Sequence, residues 1–136
     1  MGYLDDADRF GTVREVLRFK KGVVEFARAD ESLADVARRM NALGISQMPI
    51  APTNGGPHRM IHEADLLQSL VTGECSPTDP VERAAKPLSG RVSPDDSLSR
   101  VQRIFDDDII VVVIDDDEIQ GIISKIDLVE FLTSRS

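Results

Sequence analysis

Apolar residues recur along this chain with two alternating periods, and the same succession of periods is traversed twice. Leu33, Val36, Ala37 and Met40 fall three or four positions apart, which predicts a helix capped at its start by Asp30 and ending at Gly44. Two strand-length stretches follow, Ser46 to Ala51 and Arg59 to Ile61. The turn-forming Pro52-Thr53-Asn54-Gly55-Gly56-Pro57 separates them, which predicts a hairpin. Helical spacing then returns with Leu66, Leu67 and Leu70. The second traverse runs from Asp95 through a helix carrying Leu98, Val101 and Phe105. A hairpin of Ile109 to Ile114 with Ile119 to Ile123 comes next, then a helix carrying Leu128, Phe131 and Leu132. A short lead-in precedes each traverse. Thr12 is expected to cap a turn carrying Val13, Val16 and Leu17; Asp79-Pro80 is expected to start its counterpart, with proline suited to the first helical position. Short strands are expected at Val23-Val24 and Arg91-Val92.

The two traverses are copies. Ala29-Asp30-Glu31-Ser32-Leu33 lies over Pro94-Asp95-Asp96-Ser97-Leu98 at an offset of 65, which also sets Val36 on Val101, Ile45 on Ile110 and Met48 on Val113. Ile61-His62-Glu63-Ala64-Asp65-Leu66 lies over Ile123-Ser124-Lys125-Ile126-Asp127-Leu128 at an offset of 62. The slip of three belongs to the hairpin turn, shortened in the second copy to Asp115-Asp116-Asp117-Glu118. A length change there costs little. Residues 1–11 read as a linker, 12–74 as the first repeat and 75–134 as the second. One such unit is too small to bury both faces of its sheet, so the two are expected to pack together.

Composition narrows the function classes. Hydrophobic residues at 41% and charged residues at 29% suit a globular fold, and no apolar run is long enough to span a bilayer. A formal net charge of -8 and an aromatic content of 4% argue against nucleic acid or an anionic membrane as the main partner. The single cysteine, Cys75, cannot form an internal disulfide, which points to a cytoplasmic setting. It is expected to lie in a polar connector with no nearby base, and so to be unreactive.

The succession of helix, Gly44-Ile45-Ser46-Gln47-Met48-Pro49-Ile50, turn, then Gly121-Ile122-Ile123-Ser124-Lys125-Ile126-Asp127-Leu128 resembles the CBS motif, and the two copies resemble a CBS pair. The resemblance implies an α+β fold: two βαββα motifs packed through their sheets as a pseudo-two-fold pair. The Gly44–Ile50 segment is most similar to the regulatory region of cystathionine β-synthase. So are Ser69-Leu70-Val71-Thr72-Gly73-Glu74, Pro77-Thr78-Asp79-Pro80-Val81 and Tyr3-Leu4-Asp5-Asp6. That likeness implies a regulatory module without catalytic residues of its own, serving a PLP-dependent catalytic domain. It implies S-adenosylmethionine as ligand. AMP, ADP or ATP is the alternative, favoured by Lys125 within the motif and by Arg91. CBS pairs tend to dimerise through their helices, so a homodimer is expected, with Leu67, Leu70 and Leu132 as contact residues or ordinary core.

Ser124 and Asp127 stand three apart where a strand hands over to a helix, so both side chains share the first helical turn. A carboxylate there can accept hydrogen bonds from the vicinal hydroxyls of a ribose. The same pair is also an ordinary capping box; the two roles are compatible. The resemblance adds Ile122 and Ile126 from the second repeat as walls for the adenine, with Val23, Val24, Ile45, Gln47, Met48 and Pro49 from the first. A second, degenerate site is expected at His62 and Asp65 with Val92 and Val111. There Arg59 replaces the family's glycine, histidine replaces its Ser/Thr, and branched side chains crowd the opposite wall.

No metal site is expected. His58 and His62 are four apart but in a turn and strand rather than on one helix, and Asp106-Asp107-Asp108 and Asp115 to Glu118 lack the spaced ligands and glycine of a calcium loop. No phosphate-binding glycine loop or nucleophile motif is present.

Overall fold

A computed structural model describes residues 10–52 and 56–135. The linker residues Tyr3-Leu4-Asp5-Asp6 lie outside the described residues. In chain order the elements are α1 (Val13–Lys20), α2 (Leu33–Leu43), β1 (Gln47–Pro49), β2 (Arg59–His62), α3 (Glu63–Thr72) and a 3-10 turn at Val81–Arg83. Then come β3 (Lys86–Pro87), β4 (Arg91–Val92), α4 (Leu98–Ile104), β5 (Ile110–Asp115), β6 (Glu118–Ser124) and α5 (Lys125–Ser134). The fold is α+β, with two three-stranded sheets ordered β1-β2-β3 and β4-β5-β6.

Contacts divide the chain into two compact units, and the division does not follow the repeat boundary. One unit holds residues 25–88; the other holds residues 1–24 together with 89–136. Each repeat therefore lends its leading segment to the body of the other. In the discontinuous unit, Val13 N–H donates to the Asp96 carbonyl (3.0 Å) and Arg14 N–H to that of Pro94 (2.8 Å). In the continuous unit, Leu33 N–H donates to Asp79 (3.0 Å) and Val81 N–H to Glu31 (2.7 Å).

Within the discontinuous unit β4 pairs parallel with β5, and β5 antiparallel with β6. Asp116 and Asp117 both have positive φ, 50° and 62°, the left-handed pair that a two-residue hairpin turn requires and aspartate tolerates. Backbone geometry is what this acidic turn supplies. Val13, Val16, Val101, Val111, Val113 and Ile123 are fully buried in one core, closed by Leu128 and Phe131. Each such side chain contributes roughly 1.5–3 kcal/mol through burial. Phe19 meets Phe131 edge-on at 5.7 Å, and the Arg135 guanidinium lies 5.1 Å from the same ring, seating α1 on α5. Within the continuous unit Leu33, Val36, Met48, Ile61 and Val81 fill a second core.

Several local expectations are corrected. Ser32 and Ser97, not Asp30 and Asp95, cap α2 and α4, accepting from Asp35 N–H (3.1 Å) and Arg100 N–H (3.3 Å). The turn before each cap is fixed by the intervening acid, Glu31 accepting from Arg28 N–H and Asp96 from Ser93 N–H, which sets the helix start two residues later. Val23-Val24 is not a strand. Lys21 (φ 49°) and Gly22 (φ 145°) turn the chain, Val23 is 90% exposed, and the pairing falls instead on Ala27, a single parallel bridge to Ile50. The lead-in after Asp79-Pro80 forms only the 3-10 turn, with Pro80 extended (ψ 137°) ahead of it rather than at the first helical position. Beyond it lies the unexpected edge strand β3, where Pro87 needs no ladder donor. Cys75 is a core residue of the continuous unit rather than part of a polar connector.

Candidate functional site: the Asp127 ledge

Ser124 ends β6 in extended backbone (φ -97°, ψ 169°) and caps α5. Its Oγ accepts from Asp127 N–H (3.3 Å), and Asp127 Oδ2 accepts from Ser124 N–H (2.9 Å). The capping box anticipated from the sequence is thus formed. It also aims the carboxylate: the Ser124 amide holds Oδ2, and among the described residues none donates to Oδ1.

A third participant has no local signature in the sequence. Lys20, the last residue of α1, sets Nζ 2.8 Å from Asp127 Oδ2 and donates also to the Ile122 carbonyl. The Asp127 side chain is 17% exposed. Desolvation pushes its carboxyl up, but the Lys20 hydrogen bond and charge, with the Ser124 amide, outweigh it and hold the pKa below the ordinary aspartate value. Asp127 is a charged acceptor at neutral pH.

Gly121 makes room beside it. A Cβ there would stand 2.5 Å from Leu17 Cδ2, so the Leu17 side chain of α1 sits directly over the bare backbone of β6 and would have to shift for any side chain at this position. Between them lies a recess of about 100 Å³ lined by Leu17, Lys20, Val23, Val24, Gly121 and Ile122, among others. Binding cavities for small molecules run to roughly 300–1,000 Å³, so this recess suits one moiety rather than a whole nucleotide. Val24 and Ile122 are partly buried there, while Ile126, on the outer side of α5, is 60% exposed.

The corresponding position in the continuous unit is built differently. His62 caps α3, and its N–H donates to Asp65 Oδ2 (3.2 Å). Lys86 of β3 stands 3.3 Å from Asp65 Oδ1, repeating the lysine–aspartate pairing. Arg59 occupies the place of Gly121 and reaches Glu82, its guanidinium 3.6 Å from the carboxylate. Helix α1 has no counterpart here beyond the 3-10 turn, so no close crossing demands a glycine.

The remaining anticipated residues fall into place unit by unit. Met48 is fully buried in the core of the continuous unit, so its side chain is packing there; Pro49 is buried and Ile45 packs at the core margin. Gln47 is partly buried, accepts from Ser46 Oγ (2.8 Å) and pairs in register with His62. Val92 and Val111 belong to the core of the discontinuous unit. No group of three or more His, Cys, Asp or Glu side chains among the described residues could hold a metal ion. No helix among them is long and apolar enough to cross a membrane.

Each of the two α+β units ends its hairpin in a helix whose first turn carries an aspartate that accepts from the cap residue's amide. Residues 13–72 and 91–134 match the CBS domain, and the chain belongs to the CBS domain family. No curated protein sequence matches it. Among solved structures it is similar to the CBS-domain containing protein ATU1752 from Agrobacterium tumefaciens, at 22% identity and a TM-score of 0.75. That match covers 88% of this chain and 92% of the other. The hexameric CBS-CP12 protein from bloom-forming cyanobacteria is similar at 20% identity and a TM-score of 0.71, over 87% and 69% of the two chains. The CBS domain pair of protein MJ0100, solved in complex with 5′-methylthioadenosine and S-adenosyl-L-methionine, is similar at 17% identity and a TM-score of 0.74, over 93% and 99%.

Proposed function

We propose that this CBS pair is a sensor of an adenosyl small molecule, holding the ribose on Asp127 and Ser124. The observation that carries the reading is the state of Asp127: ionised, partly buried, fixed through Oδ2 and with no donor on Oδ1 among the described residues. A ribose hydroxyl donating to that oxygen makes a charge-assisted bond, stronger than a neutral one. Val23, Val24, Ile122 and Ile126 offer apolar contact to the base. S-adenosylmethionine is the first ligand to test. The likeness to the cystathionine β-synthase regulatory region supports it, as does the occupant of the MJ0100 pair. The exposed Lys21 and Lys125 favour AMP, ADP or ATP as the second.

The mechanism is linkage. A ligand that favours one conformation of the pair shifts the population toward it, and whatever the pair is joined to, a PLP-dependent catalytic domain being the first candidate, experiences that shift. Helices α3 and α5 leave Leu67 (66%), Leu70 (39%), Val129 (51%) and Leu132 (37%) exposed, and a second copy of the chain is the partner we assign to them.

Thermal melts with S-adenosylmethionine, AMP and ATP test the proposal. A ligand at a hundred times its Kd stabilises the native state by about 2.7 kcal/mol and raises Tm accordingly. Asp127→Ala is expected to abolish the rise and Asp65→Ala to leave it. No rise with any of the three, in a chain that light scattering finds dimeric, would overturn sensing and leave a dimerisation module.

A further inference from the structure

Lys20 is placed to do more than staple a helix end. It lines the recess and ties it to the site, meeting the Asp127 carboxylate through Oδ2 and the backbone of β6 through the Ile122 carbonyl. The recess itself is closed on one side by Leu17, Lys21 and Gly22, the last turn of α1 and the residues just after it. We infer that Lys20 is a positioning residue of the Asp127 site, which makes occupancy of that site and docking of the C-terminal end of α1 depend on one another; the inference rests on the adenosyl-binding reading above.

Three observations support it. Lys20 occupies one carboxylate oxygen and leaves the other, so it orients the acceptor without competing for the oxygen a hydroxyl would use. If Lys20 leaves, Asp127 is held by the Ser124 amide alone, α1 loses its tie to β6, and the wall made by Leu17 loosens with it. Lastly, the Lys86–Asp65 pair in the continuous unit supplies an internal control: the same ion pair, without the Ile122-type carbonyl contact and with Arg59 in place of a glycine. Were the lysine only a staple, the two pairs would behave alike. By reciprocity, a ligand that needs Asp127 oriented must in turn hold α1 down.

The test uses the full chain with three probes, adenosine, AMP and S-adenosylmethionine, measured by calorimetry on wild type, Lys20→Met, Lys20→Arg and Lys86→Met. Adenosine carries the ribose and no charge, so it reads orientation of Asp127 separately from attraction to a phosphate. Lys20→Met is expected to weaken adenosine and AMP alike, by about tenfold, as for loss of one coupling interaction. Lys20→Arg should restore most of the affinity, and Lys86→Met should change neither. The Lys21 amide, which donates to the Leu17 carbonyl at the end of α1 (3.3 Å), reports the coupling directly. Its hydrogen exchange should slow when adenosine is added to wild type and not when it is added to Lys20→Met. A loss confined to AMP would make Lys20 a direct phosphate contact and overturn the inference. Unchanged adenosine affinity, or an equal loss in Lys86→Met, would overturn it as well. If wild type binds none of the probes, the functional reading fails first.

Discussion

Asp127 shows how one carboxylate can serve a fold and a site together. Its place three residues after Ser124 was legible from sequence, because the capping box is a local pattern. Lys20 was not, since a partner more than a hundred positions away leaves no trace in periodicity. The repeat itself held the clue: Lys20 and Lys86 stand 66 apart in the two leading segments, and each meets the aspartate of a corresponding helix start. Met48 shows a different limit of sequence pattern. An apolar residue on a strand looks the same whether it packs inward or lines a ligand, and only burial tells them apart. Because the folded Asp127 pKa is lowered, its contribution to stability exists above the ordinary aspartate pKa of about 3.9 and disappears as pH falls through the lower folded value. Asp127→Asn is therefore expected to cost about 1 kcal/mol at pH 7, the scale of a partly exposed ion pair, and less at pH 3. Urea melts at the two pH values check this; an equal loss at both would mean the carboxylate charge is not what stabilises.

Among the elements, hairpins and final helices were read well because each carries a run of apolar residues long enough to impose one period. The lead-ins were not. Two adjacent valines suggested a strand at Val23-Val24, but strand propensity needs a neighbour to pair with, and the turn at Lys21-Gly22 carries them past it. The two-residue strand β3 is shorter than any pattern can register. The contrast between α1 and the 3-10 turn at Val81–Arg83 explains an otherwise puzzling difference between the repeats, glycine at 121 against arginine at 59. Gly121 exists for the crossing of Leu17. Gly121→Ala should thus destabilise the protein by about 1–3 kcal/mol, the usual cost of overpacking, and Leu17→Ala in the same chain should cancel part of that loss. Chemical denaturation of the two single variants and the double gives the coupling; strict additivity would separate the glycine from the helix.

For the whole molecule, the repeat boundary read from the sequence near residue 74 is not where the structure divides. Periodicity records what is copied, not what touches. The chain passes between the units twice, at Val24 and again at Leu88. Splitting the polypeptide between Gly73 and Glu74 gives two pieces, each holding one unit's leading segment and the other unit's body. Neither piece is expected to fold alone, and mixing them should restore a cooperative melt, monitored by circular dichroism; independent folding of the first piece would contradict the exchange. Loss of the second repeat by genetic deletion would leave a remnant that cannot repair itself by doubling, since Leu17 would have to settle over Arg59 rather than over a bare backbone. The first half of this gene has thus become a part that needs its complement, and from that point on it can be inherited only with the second.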